Sequence, residues 1–135
     1  MIVLDSSVLV GIIKDEPNTD GLLDLLAVEE CAIGAPTLVE TRAWCSINLT
    51  GRSSRWLEHF IDSRPVAVVP FSRDMADAAA RAFGRFGRAR GHSAKLNFGD
   101  CMAYAVAVVM RAPLLFKGGD FGLTDVIAHP ASIRT

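Results

Sequence analysis

Four short runs of apolar residues, spread along the whole chain, constrain the fold most. They are Ile2–Leu4, 31–33, Val66–Val69 and 114–116. None alternates apolar with polar residues, so each reads as a strand buried on both faces. The segments between them carry helix signals. Ser6 or Ser7 would cap a helix over Ser6–Ile13, which Asp15-Glu16-Pro17-Asn18 breaks. Thr19 or Asp20 starts another helix that runs to Val28. Gly34 closes the second strand, and Pro36 suits the first turn of a helix over 36–49. A further helix is expected over 53–62, with Trp56 and Phe60 on one face. Ser72 caps Arg73–Phe86, after which Gly84, Gly87 and Gly91 loosen the chain into a basic loop. Residues 97–111 form a strongly apolar helix, 117–120 a turn, and a weak last strand is placed near 132–134. This order predicts an α/β fold: a mostly parallel sheet of four to five strands with helices on both faces. Ligands in such sheets bind outside the carboxyl ends of the strands. That singles out Asp5, the segments after Ile33 and Val69, and the turn at 117–120.

The 135 residues suit one domain, 1–135, large enough to bury a sizeable core. Half the residues are hydrophobic and 21% are charged, which excludes a disordered or collagen-like chain. The longest apolar run, 101–110, is too short to span a membrane. The N-terminus lacks the basic region and cleavage site of a secretory signal, so a cytoplasmic protein is expected. Three widely spaced cysteines, Cys31, Cys45 and Cys101, are expected to be buried, reduced thiols. His59, His92 and His129 are scattered and predict no zinc site.

Charge is segregated. Residues 1–41 carry eight acids and one base, whereas residues 42–99 carry ten bases and four acids. No acid lies between Asp77 and Asp100, a stretch that holds Arg81, Arg85, Arg88, Arg90 and Lys95. Eleven of the 14 cations are arginine, the better residue for bidentate phosphate contacts. The pattern suits a metal ion and a polyanion, and equally a solvated helix end.

Four acids stand where a ligand would sit. Asp5 follows the first strand, Glu40 lies on an apolar helix segment, Asp100 opens the apolar helix, and Asp120 lies in a Gly-rich turn. Each has a structural alternative: a helix-start acid for Asp5, a pairing with Arg42 or another base for Glu40, a cap for Asp100, a turn acid for Asp120. Gathered together, oxygen ligands alone favour Mg²⁺ or Mn²⁺ over zinc.

Those residues bear a resemblance. Ile2-Val3-Leu4-Asp5-Ser6-Ser7, Pro36-Thr37-Leu38-Val39-Glu40, Leu96-Asn97-Phe98-Gly99-Asp100-Cys101 and Pro113–Phe121 resemble, in that order, the motifs of PIN-domain ribonucleases, in particular VapC toxins of VapBC toxin–antitoxin modules. The resemblance implies a three-layer α/β/α sandwich and Mg²⁺-dependent cleavage of RNA, with Mn²⁺ a substitute. Asp5, Glu40 and Asp100 fall on the family's acidic positions. Many members have Thr-x-Asp at the last strand's end, where this chain reads Phe116-Lys117-Gly118. Asp120 is then the fourth acid, with Asp125 as the alternative. Asp5, Asp100 and Asp120 would hold metal, Glu40 would complete the shell or orient the attacking water, and Ser6 would support through its hydroxyl. Arg85, Arg88, Arg90 and Lys95 would guide RNA through phosphate contacts. Phe83, Phe86 and Phe98 are expected to pack in the core or an interface; stacking on unpaired bases is the alternative. Trp44 and Trp56 suit either the core or a groove for a partner helix. The implied partners are a VapB-type antitoxin, RNA and a second copy in a homodimer, with no membrane. A catalytically weak PIN module that binds RNA or a partner is the competing reading. A phosphatase using Asp5 as nucleophile needs a second aspartate two residues on, where Ser7 stands.

Overall fold

A computed structural model describes residues 1–134, apart from the side chains of Arg52 and Ser53. Strands β1 (Ile2–Leu4), β2 (Cys31–Gly34), β3 (Val66–Val69) and β4 (Leu114–Leu115) form one parallel sheet in the order β3-β2-β1-β4. Six α-helices cover it: α1 (Ser6–Ile13), α2 (Leu22–Val28), α3 (Ala35–Asn48), α4 (Trp56–Ser63), α5 (Arg73–Phe86) and α6 (Phe98–Met110). Successive strand residues point to opposite faces, and each face is packed. Val3, Leu114 and Phe116 join Ala82, Phe86 and Val106 of α5 and α6. Ile2, Leu4, Ile33 and Leu115 join Leu9, Leu26, Leu38 and Phe60 of α1 to α4. The result is the three-layer arrangement that unalternated apolar strands require.

The strand that carries Asp5 is central. Its backbone is held on one side by β2, in the register Ile2 opposite Cys31, and on the other by β4, in the register Val3 opposite Leu114. The Asp5 N–H itself donates to the Leu115 carbonyl at 3.0 Å. Position and orientation at the end of β1 are therefore fixed by two neighbours.

Several boundaries differ from the sequence reading. Asp5, not Ser6 or Ser7, caps α1, its carboxylate accepting from the Ser7 N–H at 3.0 Å. A carboxylate satisfies the helix's first amides as well as a hydroxyl does, and the extended backbone at Asp5 suits a cap. The second helix starts at Leu22, and α4 starts at Trp56 behind a 3-10 turn over Gly51–Arg55. Gly84 lies inside α5 rather than loosening it; the chain leaves the helix only at Gly87. β3 is not buried on both faces. It is the edge strand, and its Ala67 and Val68 are exposed. The expected last strand reduces to isolated bridges, Leu114 to Ala128 and Lys117 to Ile133. The three cysteines are free and buried, and Trp56 stacks on Phe60 with ring centroids 5.1 Å apart. Among the described residues no helix is long and apolar enough to cross a membrane.

One close approach ties the sheet to α6. A Cβ at Gly34 would come 2.7 Å from the Val106 Cγ2, closer than two carbons tolerate. Gly34→Ala is expected to destabilise the protein by about 1–3 kcal/mol through overpacking. Urea unfolding would measure this, and Val106→Ala in the same chain should recover part of the loss.

Candidate active site

Asp5, Glu40, Asp100 and Asp120 come from four separate elements, and the sheet brings their charges together. Asp5 is buried, 3% exposed, at the carboxyl end of β1. Its Oδ2 accepts from Ser7, while its Oδ1 is buried with no hydrogen-bond partner among the described residues. Burial pushes its carboxyl up to about 7, and the charges of Asp100 and Glu40 push the same way, against the hydrogen bonds from Ser7. A half-satisfied, buried carboxylate is costly unless a cation completes it.

Asp100 takes the cap role, its structural alternative, and its charge is coupled to those of the other acids. It forms a capping box at the start of α6: Asn97 Oδ1 accepts from the Asp100 N–H at 2.8 Å, and Asp100 Oδ2 accepts from the Asn97 N–H at 3.0 Å. Its carboxyl is also held above the ordinary range, by burial first and then by the charges of Glu40 and Asp120. Arg88 and the Asn97 amide act in the opposite direction. The box fixes one carboxylate oxygen and thereby aims the other.

Glu40 does not pair with Arg42, which forms a hydrogen-bonded ion pair with Glu58. Its carboxylate rests instead on the backbone of Gly99. A Cβ there would overlap it, coming 2.8 Å from Glu40 Cδ. Glycine at 99 is what lets α3 bring an acid onto the first turn of α6. Asp120 is exposed at the start of a 3-10 turn, Phe121–Leu123, and is close enough for its charge to act on Asp100. Asp125 is engaged elsewhere: it accepts from Arg85 at 3.1 Å and from the Tyr104 hydroxyl at 2.6 Å. Of the two candidates for a fourth acid, Asp120 is the one whose charge acts on Asp100.

Ser7 rather than Ser6 makes the supporting hydrogen bonds. Its N–H holds Asp5, and its Oγ accepts from the Lys117 N–H at 3.0 Å, joining the start of α1 to the end of β4. The Lys117 amine in turn pairs with Glu16 at 2.9 Å. A hydroxyl two residues after Asp5, and a glycine wedged between a cap residue and an acid, are visible in the sequence. Their partners are not, since Lys117 and Glu40 come from distant segments.

The cations divide. Arg88 acts on Asp100 directly. Arg85 is tied to Asp125 and lies over the Phe86 ring, 4.7 Å from its centroid. Arg90 and Lys95 are exposed on the same loop. Among the described residues, no three His, Cys, Asp or Glu side chains already stand close enough to hold an ion. What fits a hard divalent cation is the donor set, all carboxylate, together with the unpartnered Oδ1 of Asp5.

The raised carboxyl of Asp5 gives a signed expectation. The folded state keeps its proton to higher pH than the unfolded chain, so stability falls as pH rises from about 4 to about 7. Asp5→Asn stays neutral and escapes that loss. In EDTA at pH 8 it should exceed wild type by up to about 4 kcal/mol, a gain that shrinks toward zero near pH 4. Urea unfolding across that range, with and without divalent cation, is the measurement; the cation should stabilise wild type and leave Asp5→Asn unmoved.

The PIN domain family matches residues 2–126 of this chain. Ribonuclease VapC28 of Mycobacterium tuberculosis is 37% identical over 129 residues, covering 92% of this chain and 94% of that protein. Ribonuclease VapC of Mycolicibacterium smegmatis is 39% identical over 127 residues, covering 93% and 98%. Among solved structures, the sarcin-ricin loop cleaving toxin VapC20 of Mycobacterium tuberculosis superposes with a TM-score of 0.75 at 16% identity, covering 96% of this chain and 98% of that one. The DNA-bound VapBC of Salmonella typhimurium gives 0.67 at 18% identity, covering 99% and 96%. At these identities the structures speak to the fold.

Proposed function

This chain belongs to the PIN-domain family, and from that premise we propose that it is the toxin of a VapBC-type module, an endoribonuclease that works with a divalent cation. The cation is Mg²⁺ on this reading, with Mn²⁺ as substitute, because every donor is a carboxylate oxygen. The observation that carries it is Asp5: a buried carboxylate with one oxygen fixed and the other unpartnered among the described residues, beside two further acids. Asp5 and Asp100 would hold the cation, each having one carboxylate oxygen engaged by a backbone N–H, of Ser7 and Asn97 respectively. Glu40, on α3 with its carboxylate against Gly99 of α6, would complete the shell or orient the attacking water. Asp120, exposed and with its charge acting on Asp100, would hold a second ion or a water. The cation, when bound, neutralises charge on the phosphodiester and acidifies water. Arg88, Arg90 and Lys95 hold the RNA backbone at the rim.

Solved VapBC complexes of the same fold support a VapB-type antitoxin as partner, and the same reading includes a homodimer acting in the cytoplasm. The competing reading, a catalytically weak module that binds RNA or a partner, has one observation on its side. Among the described residues, no three candidate ligands converge.

The test is cleavage of total RNA by purified, antitoxin-free protein with Mg²⁺, Mn²⁺ or EDTA. Discrete, metal-dependent products are expected, and Asp5→Ala or Asp100→Asn should lower the rate about a hundredfold or more. Asn at 100 keeps the cap, so the loss would not be one of folding. RNA binding without turnover by folded wild type would establish the binding module instead.

The rim makes a second expectation. Neutralising Arg88, Arg90 and Lys95 should weaken binding of single-stranded RNA and flatten its salt dependence, by about 0.7 in slope for each phosphate that is no longer neutralised. Arg85→Ala should do less, because Asp125 already occupies that guanidinium. Binding titrations at several salt concentrations would show it, and an unchanged slope would remove the loop from the RNA path.

A further inference from the structure

Phe98 is an anomaly in this molecule. Phe86, Phe116 and Phe121 are buried, but Phe98 is 75% exposed. It is the first residue of α6, held by the capping box of Asn97 and Asp100, and it is followed by the glycine on which the Glu40 carboxylate rests. An aromatic ring is thus fixed to the same helical turn as the acids. It forms one wall of an open groove of about 710 Å³, whose other walls include Pro36, Phe71, Ala80, Phe83 and Met102. The walls are almost wholly apolar, so they offer little to a sugar or a phosphate.

The rim differs. The loop after α5 folds back on itself, the Arg88 N–H donating to Leu96 and the Leu96 N–H to Phe86, each at 2.9 Å. That fold-back ends one residue before the Asn97 cap and two before Phe98, and it carries Arg88 and Arg90, with Lys95 beside them. The groove's Phe98 thus shares the first turn of α6 with Asp100, the Glu40 carboxylate lies against Gly99 between them, and Arg88 of the preceding loop is near enough for its charge to act on Asp100. Single-stranded nucleic acid matches all three: a flat apolar face per base and an anionic backbone. A base inside a duplex has both faces covered and could not enter.

We propose that this groove is a nucleobase subsite, in which an unstacked base of single-stranded RNA lies against the Phe98 ring while the adjoining phosphate faces the carboxylates. The subsite rests on the nuclease reading. A partner's amphipathic helix also suits an apolar groove. Continuity with the acids and the cationic loop is what favours RNA.

The test uses a short single-stranded RNA carrying the mapped cleavage position, and the same RNA with an abasic residue there. Phe98→Ala is expected to raise KM for the intact RNA about tenfold or more, and Phe98→Trp to restore it. Because Phe98 is exposed, neither change removes core packing. The abasic RNA should be cut equally by wild type and Phe98→Ala, since the ring then has nothing to hold. If wild type cleaves and Phe98→Ala loses the same factor on both RNAs, or none on either, the subsite falls and the nuclease stands. If Phe98→Ala leaves RNA cleavage unchanged but loosens the complex with the antitoxin, the groove is a protein-docking surface and the proposal is wrong. If wild type neither binds nor cleaves RNA, the nuclease reading falls and the subsite with it.

Discussion

Burying Asp5 at the end of the central strand costs free energy that the hydrogen bonds from Ser7 recover only in part. Two strands fix the backbone that carries it, and Ser7 satisfies one of its oxygens. The other oxygen has no partner among those residues, and the charges that act on it, Asp100 and Glu40, are of the same sign. A domain with such a centre gives up stability at neutral pH unless a cation arrives. The rest of the site is arranged around that cost. Asn97 locks Asp100, Gly99 admits Glu40, and Ser7 ties the Asp5 turn to the end of β4. Each of these interactions holds a carboxylate in place without neutralising it.

Much of this is legible in the sequence, for a physical reason. Strands buried on both faces need unbroken apolar runs, and the four runs mark the four strands. The carboxyl-end rule then leads directly to Asp5 and to the segment holding Asp120. Where sequence and structure part, the missing information is tertiary. Val66–Val69 reads as a central strand because its residues are apolar, but edge position is decided by strand order, which no local run encodes. Ser6 and Ser7 are good caps on residue type alone; only the β1 geometry makes Asp5 the side chain that reaches the Ser7 amide. Glu40 has a neighbouring cation in Arg42, yet Arg42 turns to Glu58 on α4 while Glu40 turns to Gly99 on α6.

The choice between Asp120 and Asp125 shows the same limit more sharply. They stand five positions apart, and both follow the last strand. Asp125 has a partner waiting on each of two helices, Arg85 on α5 and Tyr104 on α6. Its charge is already answered, and Tyr104, pushed up to about 12 by burial and by Asp125, stays a proton donor to it. The charge of Asp120 reaches Asp100 instead. Spacing leaves two equal acids; packing makes one structural and leaves the other near the pocket.

Segregation of charge along the chain takes on a meaning in three dimensions. The acid-rich first third supplies Asp5 and Glu40, and the basic middle supplies the loop that folds against α6. An anionic pocket by itself would repel a polyanion. Arg88 is close enough to draw on Asp100, and on the proposed reading the loop cations would lower that barrier for an incoming phosphate. The cations do not fill the pocket, however. Arg85 is held by Asp125, and the Lys117 amine is held by Glu16. Two cations are thus engaged by other acids, and on the proposed reading the charge at Asp5 would be answered by a small ion instead.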